Sequence, residues 1–164
     1  MIASDPVCLD RGIPEHLHSK GKPSDDRFES TEALYRRFRK GTAGIKPPIT
    51  AFTTREMSVV RAKHCQSEVD ALYNCDSDEH FFTWAIAELS VLDIENICLI
   101  HPTEKKRFTF KLVHRPEQCW YPHSEVWVFA DGERTSNMPG SLKTLLKDMW
   151  SDSCDVVRSS DPPG

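Results

Sequence analysis

In the stretch Arg107–Val113 (RFTFKLV) apolar and polar residues alternate without interruption. Phe108, Phe110 and Leu112 fall on one side and Arg107, Thr109 and Lys111 on the other, the period-2 pattern of a strand buried on one face. Its outer face is expected to be wet and basic. The stretch His123–Ala130 (HSEVWVFA) differs, because Val126 and Val128 line one face while Trp127 and Phe129 line the other. A strand apolar on both faces belongs in the middle of a sheet or beneath another layer, and Asp131-Gly132 supplies the turn that ends it. Helical spacing takes over in PGSLKTLLKDMW, where Leu142, Leu145, Leu146 and Met149 stand at i, i+3, i+4 and i+7 and Trp150 extends the stripe. Ser141 is the expected N-cap.

The remaining patterns are shorter. ALYRRF (Ala33–Phe38) reads as strand or helix, and the two glycines and paired prolines of RKGTAGIKPP then break the chain. Ile49–Phe52 is expected to be a short strand, and EMSVVRAKH a strand or a turn of helix. In SEVDALY, Val69, Leu72 and Tyr73 stand at helical spacing behind Ser67, a possible cap. HFFTWAIAELSVLDIEN divides by composition into an aromatic, β-branched strand over Phe81–Ile86 and a helix over Ala87–Glu95. Asn96–Ile100 is a further short strand.

Five or six short strands, in a mainly antiparallel or mixed sheet with two or three helices, make an α+β domain. A regular β-α alternation is missing, which argues against a doubly wound parallel sheet. At 164 residues the chain fits one domain. It divides into an irregular N-terminal arm over residues 1–29, the α+β domain over 30–150, and a polar tail over 151–164. An ordered arm lies against its own domain or a partner.

The composition, 38% hydrophobic and 28% charged, is that of a soluble globular protein. No apolar run approaches the length of a membrane span, and Asp5 and Pro6 come before any apolar signal-peptide core can form. A cytoplasmic location is therefore expected, with the six cysteines reduced. A net charge of −4 disfavours a general nucleic-acid binder. The basic stretches YRRFRK and TEKKRFTFK, the latter with Lys105 and Lys106, could nevertheless meet on one face and hold an anion.

Several groupings could carry chemistry. His114, Cys119 and His123 fall within ten residues and are of the types that ligate zinc. The lack of a second close ligand pair argues against a metal site, and no metal or other cofactor is expected. Cys119 beside two histidines could also be an activated thiol, although no cysteine-protease signature surrounds it. His123 opens the doubly apolar strand, where a histidine is either a site residue or the partner of a loop carbonyl. Arg36 and Arg37 lie between apolar neighbours, so at least one should be partly buried. It would hold a carboxylate or phosphate, or an ion pair with Glu32, Glu56 or Glu125.

Three ordered elements carry a resemblance. Leu34-Tyr35-Arg36-Arg37, Ala51-Phe52 followed by Met57-Ser58-Val59, and the late Pro122-His123 resemble a scattered group of short, uncharacterised bacterial proteins. That group places one residue between the late proline and histidine, where this chain has none. The resemblance covers residues 34–126 and implies an accessory protein of the kind encoded beside larger antiviral defence or toxin-like proteins. A looser comparison is with ADP-ribosyltransferases, which hold NAD with an Arg or His on the first strand and a Ser or Tyr on a later one. It would map onto Arg36 or Arg37, Ser58 and Glu125.

The expectation is a non-catalytic accessory protein that binds a larger protein partner, with Arg36, Arg37, Lys105, Lys106 and His123 as binding residues. The alternative is a small enzyme using Arg36, Arg37, Ser58, His123 and Glu125 on a nucleotide or phosphate ester. A nucleic-acid-binding module comes third.

Overall fold

The computed structural model describes residues 4–39, 52, 55–73 and 84–158. Most of the expected Ile49–Phe52 strand, the Gly41–Pro48 break, Cys75 and the first part of the expected Phe81–Ile86 strand lie outside the described residues.

Eight strands are found among these residues: β1 (Ala33–Arg39), β2 (Met57–Arg61), β3 (Trp84–Ser90), β4 (Cys98–Ile100), β5 (Arg107–His114), β6 (His123–Ala130), β7 (Glu133–Thr135) and β8 (Asp155–Arg158). They form one sheet in the order β4-β5-β6-β2-β1-β3-β8, with β7 also paired to β6. Every pairing is antiparallel. The α-helices are α1 (Pro6–Asp10), α2 (Val91–Glu95) and α3 (Gly140–Ser153).

This corrects the expectation of five or six strands. The extra ones are too short or too polar to show a period: β7 is ERT and β8 is DVVR, the latter lying within the expected polar tail. The helix expected from Ala87 begins only at Val91. Ala85, Ala87 and Leu89 alternate into the core, so AELS continues β3. Ser90 then starts the helix with a capping box, its Oγ accepting from Asp93 N at 3.1 Å while Asp93 Oδ2 accepts from Ser90 N at 2.7 Å. The Asp131-Gly132 turn, both residues in the left-handed region, folds β7 back on β6.

The main core lies on one side of the sheet. Phe108, Phe110 and Leu112 from β5, Val126 and Val128 from β6, and Met57 and Val59 from β2 meet α2 and α3 there. On α3 the buried stripe is Leu142, Leu146 and Trp150, while Leu145 stays exposed. The expected Ser141 cap does not form: Pro139 holds the N-cap position, with no side-chain cap bond. β6 lies between β5 and β2. Val126 and Val128 are buried in the main core, while Trp127 and Phe129 on its other face stay partly exposed. Among the described residues no second layer lies over them, as the doubly apolar pattern led one to expect. A second, smaller cluster on the opposite face holds Val60, Ile86, Ala71, Leu72 and Trp120.

The N-terminal arm packs on its own domain. Cys8 is joined to Cys119 in a disulfide across 111 residues of sequence, beside Ile13 and Leu17. This corrects the reading of all cysteines as reduced. In the chain-entropy picture, closing a loop of that size stabilises by up to about 4.7 kcal/mol. Among the described residues no helix is long and apolar enough to cross a membrane.

Candidate functional site

Two polar regions lie beside this frame. The first is where the arm meets the ends of β2, β5 and β6. Met57, Val59 and Arg61 alternate onto the core side of β2, which carries a guanidinium into a fully buried position. Arg61 Nε donates to Glu32 Oε1 at 2.5 Å and Nη2 to Glu32 Oε2 at 3.0 Å. Nη2 also donates to the Arg27 carbonyl at 2.8 Å and Nη1 to the Asp25 carbonyl. The Phe28 ring covers the group, 3.9 Å from the guanidinium carbon. A buried charge needs this degree of satisfaction. It fastens residues 25–32 to β2.

Asp25 continues the network. Its backbone N–H donates to His114 Nδ1 at 2.8 Å, and its Oδ2 accepts from His64 Nε2 at 3.0 Å. His114 must then carry its proton on Nε2, which donates to the Tyr121 carbonyl at 2.7 Å. Tyr121 donates its hydroxyl to the Pro23 carbonyl at 2.6 Å. Burial holds the pKa values of His64 and His114 below the ordinary histidine value. Burial pushes the Asp25 carboxyl up, but the bond from His64 and the charge of Arg61 outweigh it and hold the pKa low. His18 repeats the arrangement, accepting from Asp5 N at Nδ1 and bonding the Ile13 carbonyl through Nε2. Histidines with both ring nitrogens committed to backbone groups are clips for the arm.

The second region is the face of the sheet opposite the main core. Trp127 stands partly exposed on β6, with Lys111 directly across on β5. The Arg134 guanidinium lies 3.4 Å from the Trp127 ring centroid and Arg115 lies 5.9 Å from it. Trp127 Nε1 donates to Glu125 Oε1 at 3.0 Å, and Arg134 Nη2 to Glu56 Oε1 at 2.7 Å. Glu56 takes a left-handed backbone, φ 45°, just before β2, a strained conformation often found near functional sites. A cavity of about 300 Å³, lined by Arg55, Glu56, Trp127, Arg134, Thr135 and Ser136, opens where β2 and β7 both end on β6.

The residues singled out from the sequence divide between the two faces. Arg36 points to the core side with Leu34 and Phe38, and its Nη1 donates to the Ser58 carbonyl at 2.8 Å. Burial, helped by the neighbouring charge of Arg37, lowers its pKa to about 10. Arg37 is on the opposite face, 5.5 Å over the Trp120 ring. Ser58 and Glu125 are direct cross-strand partners on that same face, as are Val60 and His123. His123 bonds the Arg115 carbonyl through Nδ1 at 2.6 Å and stacks on Trp120 at 5.3 Å. Lys105 and Lys106 are exposed in the turn before β5. Two strands, β6 and β2, separate that turn's strand, β5, from β1, so Lys105 and Lys106 are set apart from Arg36 and Arg37 by two strands of the sheet.

Glu32, Glu56 and Glu125 face Arg61, Arg134 and Arg115 respectively, the last at 3.8 Å. Cys119 is bonded to Cys8, while His114 faces Asp25 and Tyr121. Among the described residues no group of three or more His, Cys, Asp or Glu side chains is arranged to hold a metal ion. Sequence reasoning missed Arg61, although the alternation Met57, Val59, Arg61 carries the signal. It also missed Arg115 and Arg134, which only the β5–β6–β7 pairing brings to Trp127. The chain matches no protein-family model, no curated protein and no solved structure.

Proposed function

We propose that this chain is a non-catalytic accessory protein that docks a larger protein partner through the outer face of β5, β6 and β7, with Trp127 and Arg134 at its centre. The observation that carries this reading is the Trp127 ring flanked by Arg134 and Arg115 on a partly exposed strand. Trp and Arg are the residue types that dominate binding energy at protein interfaces. Here the surrounding groups are held in advance, Arg134 by Glu56 and the indole N–H by Glu125, so little side-chain freedom is lost on docking. Replacing Trp127 and Arg134 together by alanine tests it: partner recovery falls while the melting temperature stays close to that of the wild type. The proposed setting, beside a larger defence or toxin-like protein, rests on the bacterial resemblance alone.

One observation favours a second reading. Ser58 and Glu125 pair across β2 and β6, and Arg37 shares their face. A hydroxyl, an oriented carboxylate and a guanidinium together suit a nucleotide or phosphate ester. Under that reading Glu125→Gln abolishes NAD or nucleotide turnover in a folded protein, whereas a docking module shows no turnover to abolish.

A further inference from the structure

The turn over Glu117–Trp120 is closed by a two-way backbone pair between those residues, and the disulfide partner of Cys8 sits inside it. The next residue, Trp120, donates its indole N–H to the Asp70 carbonyl at 3.1 Å. Its ring covers Val60 and Ile86, stacks on His123, and lies beneath the Arg37 guanidinium. Asp70 is itself gripped from the arm, by His16 Nε2 at 2.6 Å. Ser19 N donates to the Gln118 carbonyl at 2.9 Å, and Tyr121 N to the Leu17 carbonyl at 2.8 Å. One covalent bond, the packing of Ile13 and Leu17, and a handful of hydrogen bonds therefore hold the arm against the turn whose Trp120 packs on Arg37 and His123.

We propose that the Cys8–Cys119 disulfide is a redox-controlled fastener that decides whether residues 4–22 stay closed over the Trp120 turn. A dithiol reductant opens it: two electrons pass to the S–S bond, which breaks, and Cys8 and Cys119 each take up a proton as a thiol. The reductant leaves as its own disulfide. Both sulfurs are buried, so the exchange waits on local opening of α1 and the turn. In an oxidising compartment the fastener is closed. In a reducing one the arm is held without a covalent bond, by the packing of Ile13 and Leu17 and by hydrogen bonds, among them the bond from His16, whose side chain is partly exposed. The proposal stands on this geometry whatever the outer face binds.

Limited trypsin digestion of the full chain tests it. Protein folded in a glutathione redox couple should gain two titratable thiols on denaturation after dithiothreitol treatment, matching the single disulfide among the described residues. Cleavage after the exposed Arg11 and Lys20 should then accelerate about tenfold, the signature of local opening, while Arg107 and Lys111 on β5 stay protected. Cys8→Ser and Cys119→Ser should each show the fast cleavage without reductant. The proposal is overturned if the oxidised protein contains no such disulfide, or if reduction leaves the arm as resistant as before. It is equally overturned if reduction or either variant removes the thermal transition altogether, because the bond is then a staple for the whole fold.

Discussion

Arg61 Nε lies 2.5 Å from Glu32 Oε1, with the guanidinium fully buried. The pair joins the loop that leads into β1 to the last residue of β2, so it locks the end of the arm against the sheet. Removing one partner leaves a buried charge uncompensated. Glu32→Ala should therefore cost about 3–5 kcal/mol, read as a lower melting temperature and denaturation midpoint. A double-mutant cycle with Arg61→Met should show strong coupling, because the second change removes the orphaned charge.

The arm also responds to pH. His114 accepts from Asp25 N–H in its neutral form, and burial holds its pKa below the ordinary 6.5. A histidine with a depressed folded-state value contributes stability that is present above the unfolded value. That stability is lost as pH falls through the folded one. His64 is displaced in the same direction, while the depressed Asp25 carboxyl acts only below the ordinary carboxylate value of 3.8. Between pH 7.5 and 5 the melting temperature should drop by about 2–4 °C for each kcal/mol lost. His114→Asn, lower in stability at neutral pH, should show a flatter dependence in the same scan.

Two adjacent leucines on α3 separate periodicity from packing. Leu146 is fully buried while Leu145 is 47% exposed. Leu146→Ala should cost about 2–5 kcal/mol, and Leu145→Ala should stay within about 0.5 kcal/mol, as surface changes do. Chemical denaturation of both variants measures the contrast.

What the sequence made legible depends on whether one face of an element meets the core. β5 alternates because its two faces meet opposite surroundings, whereas the apolar residues on both faces of β6 did not mean cover on both, since Trp127 and Phe129 stay partly exposed. β7 and β8 escaped because elements of three or four residues at a sheet edge, polar throughout in β7 and with Val156 alone packed against the core in β8, are too short to leave a period. The boundary at Ser90 was misplaced because Ala, Glu and Leu favour helix intrinsically, while the core contacts of Ala87 and Leu89 override that preference. Arg37, Ser58, His123 and Glu125 do share a face, a consequence of strand parity. The Arg115–Trp127–Arg134 grouping depends on long-range pairing and has no local signature. The disulfide joins residues 111 apart, a separation at which spacing says nothing about contact.

Arg134 over Trp127 should add little to folding. A cation–π contact at a partly exposed site is worth about 0.5–1 kcal/mol, so Arg134→Ala should lower stability by no more than that in a urea titration. A larger loss would mean that the grouping serves the fold before it serves a partner.

The most direct test of the docking face is quantitative capture from an extract of the source cells. The tagged wild-type chain is compared with folded Trp127→Ala/Arg134→Ala and with folded Ser58→Ala/Glu125→Gln, and the bound proteins are measured by mass spectrometry. A protein recovered in near-equal amount with the wild type and the Ser58/Glu125 variant, and lost about thirtyfold with the Trp127/Arg134 variant, is the predicted result for a hot spot of about 2 kcal/mol. Equal recovery by all three chains would contradict the account.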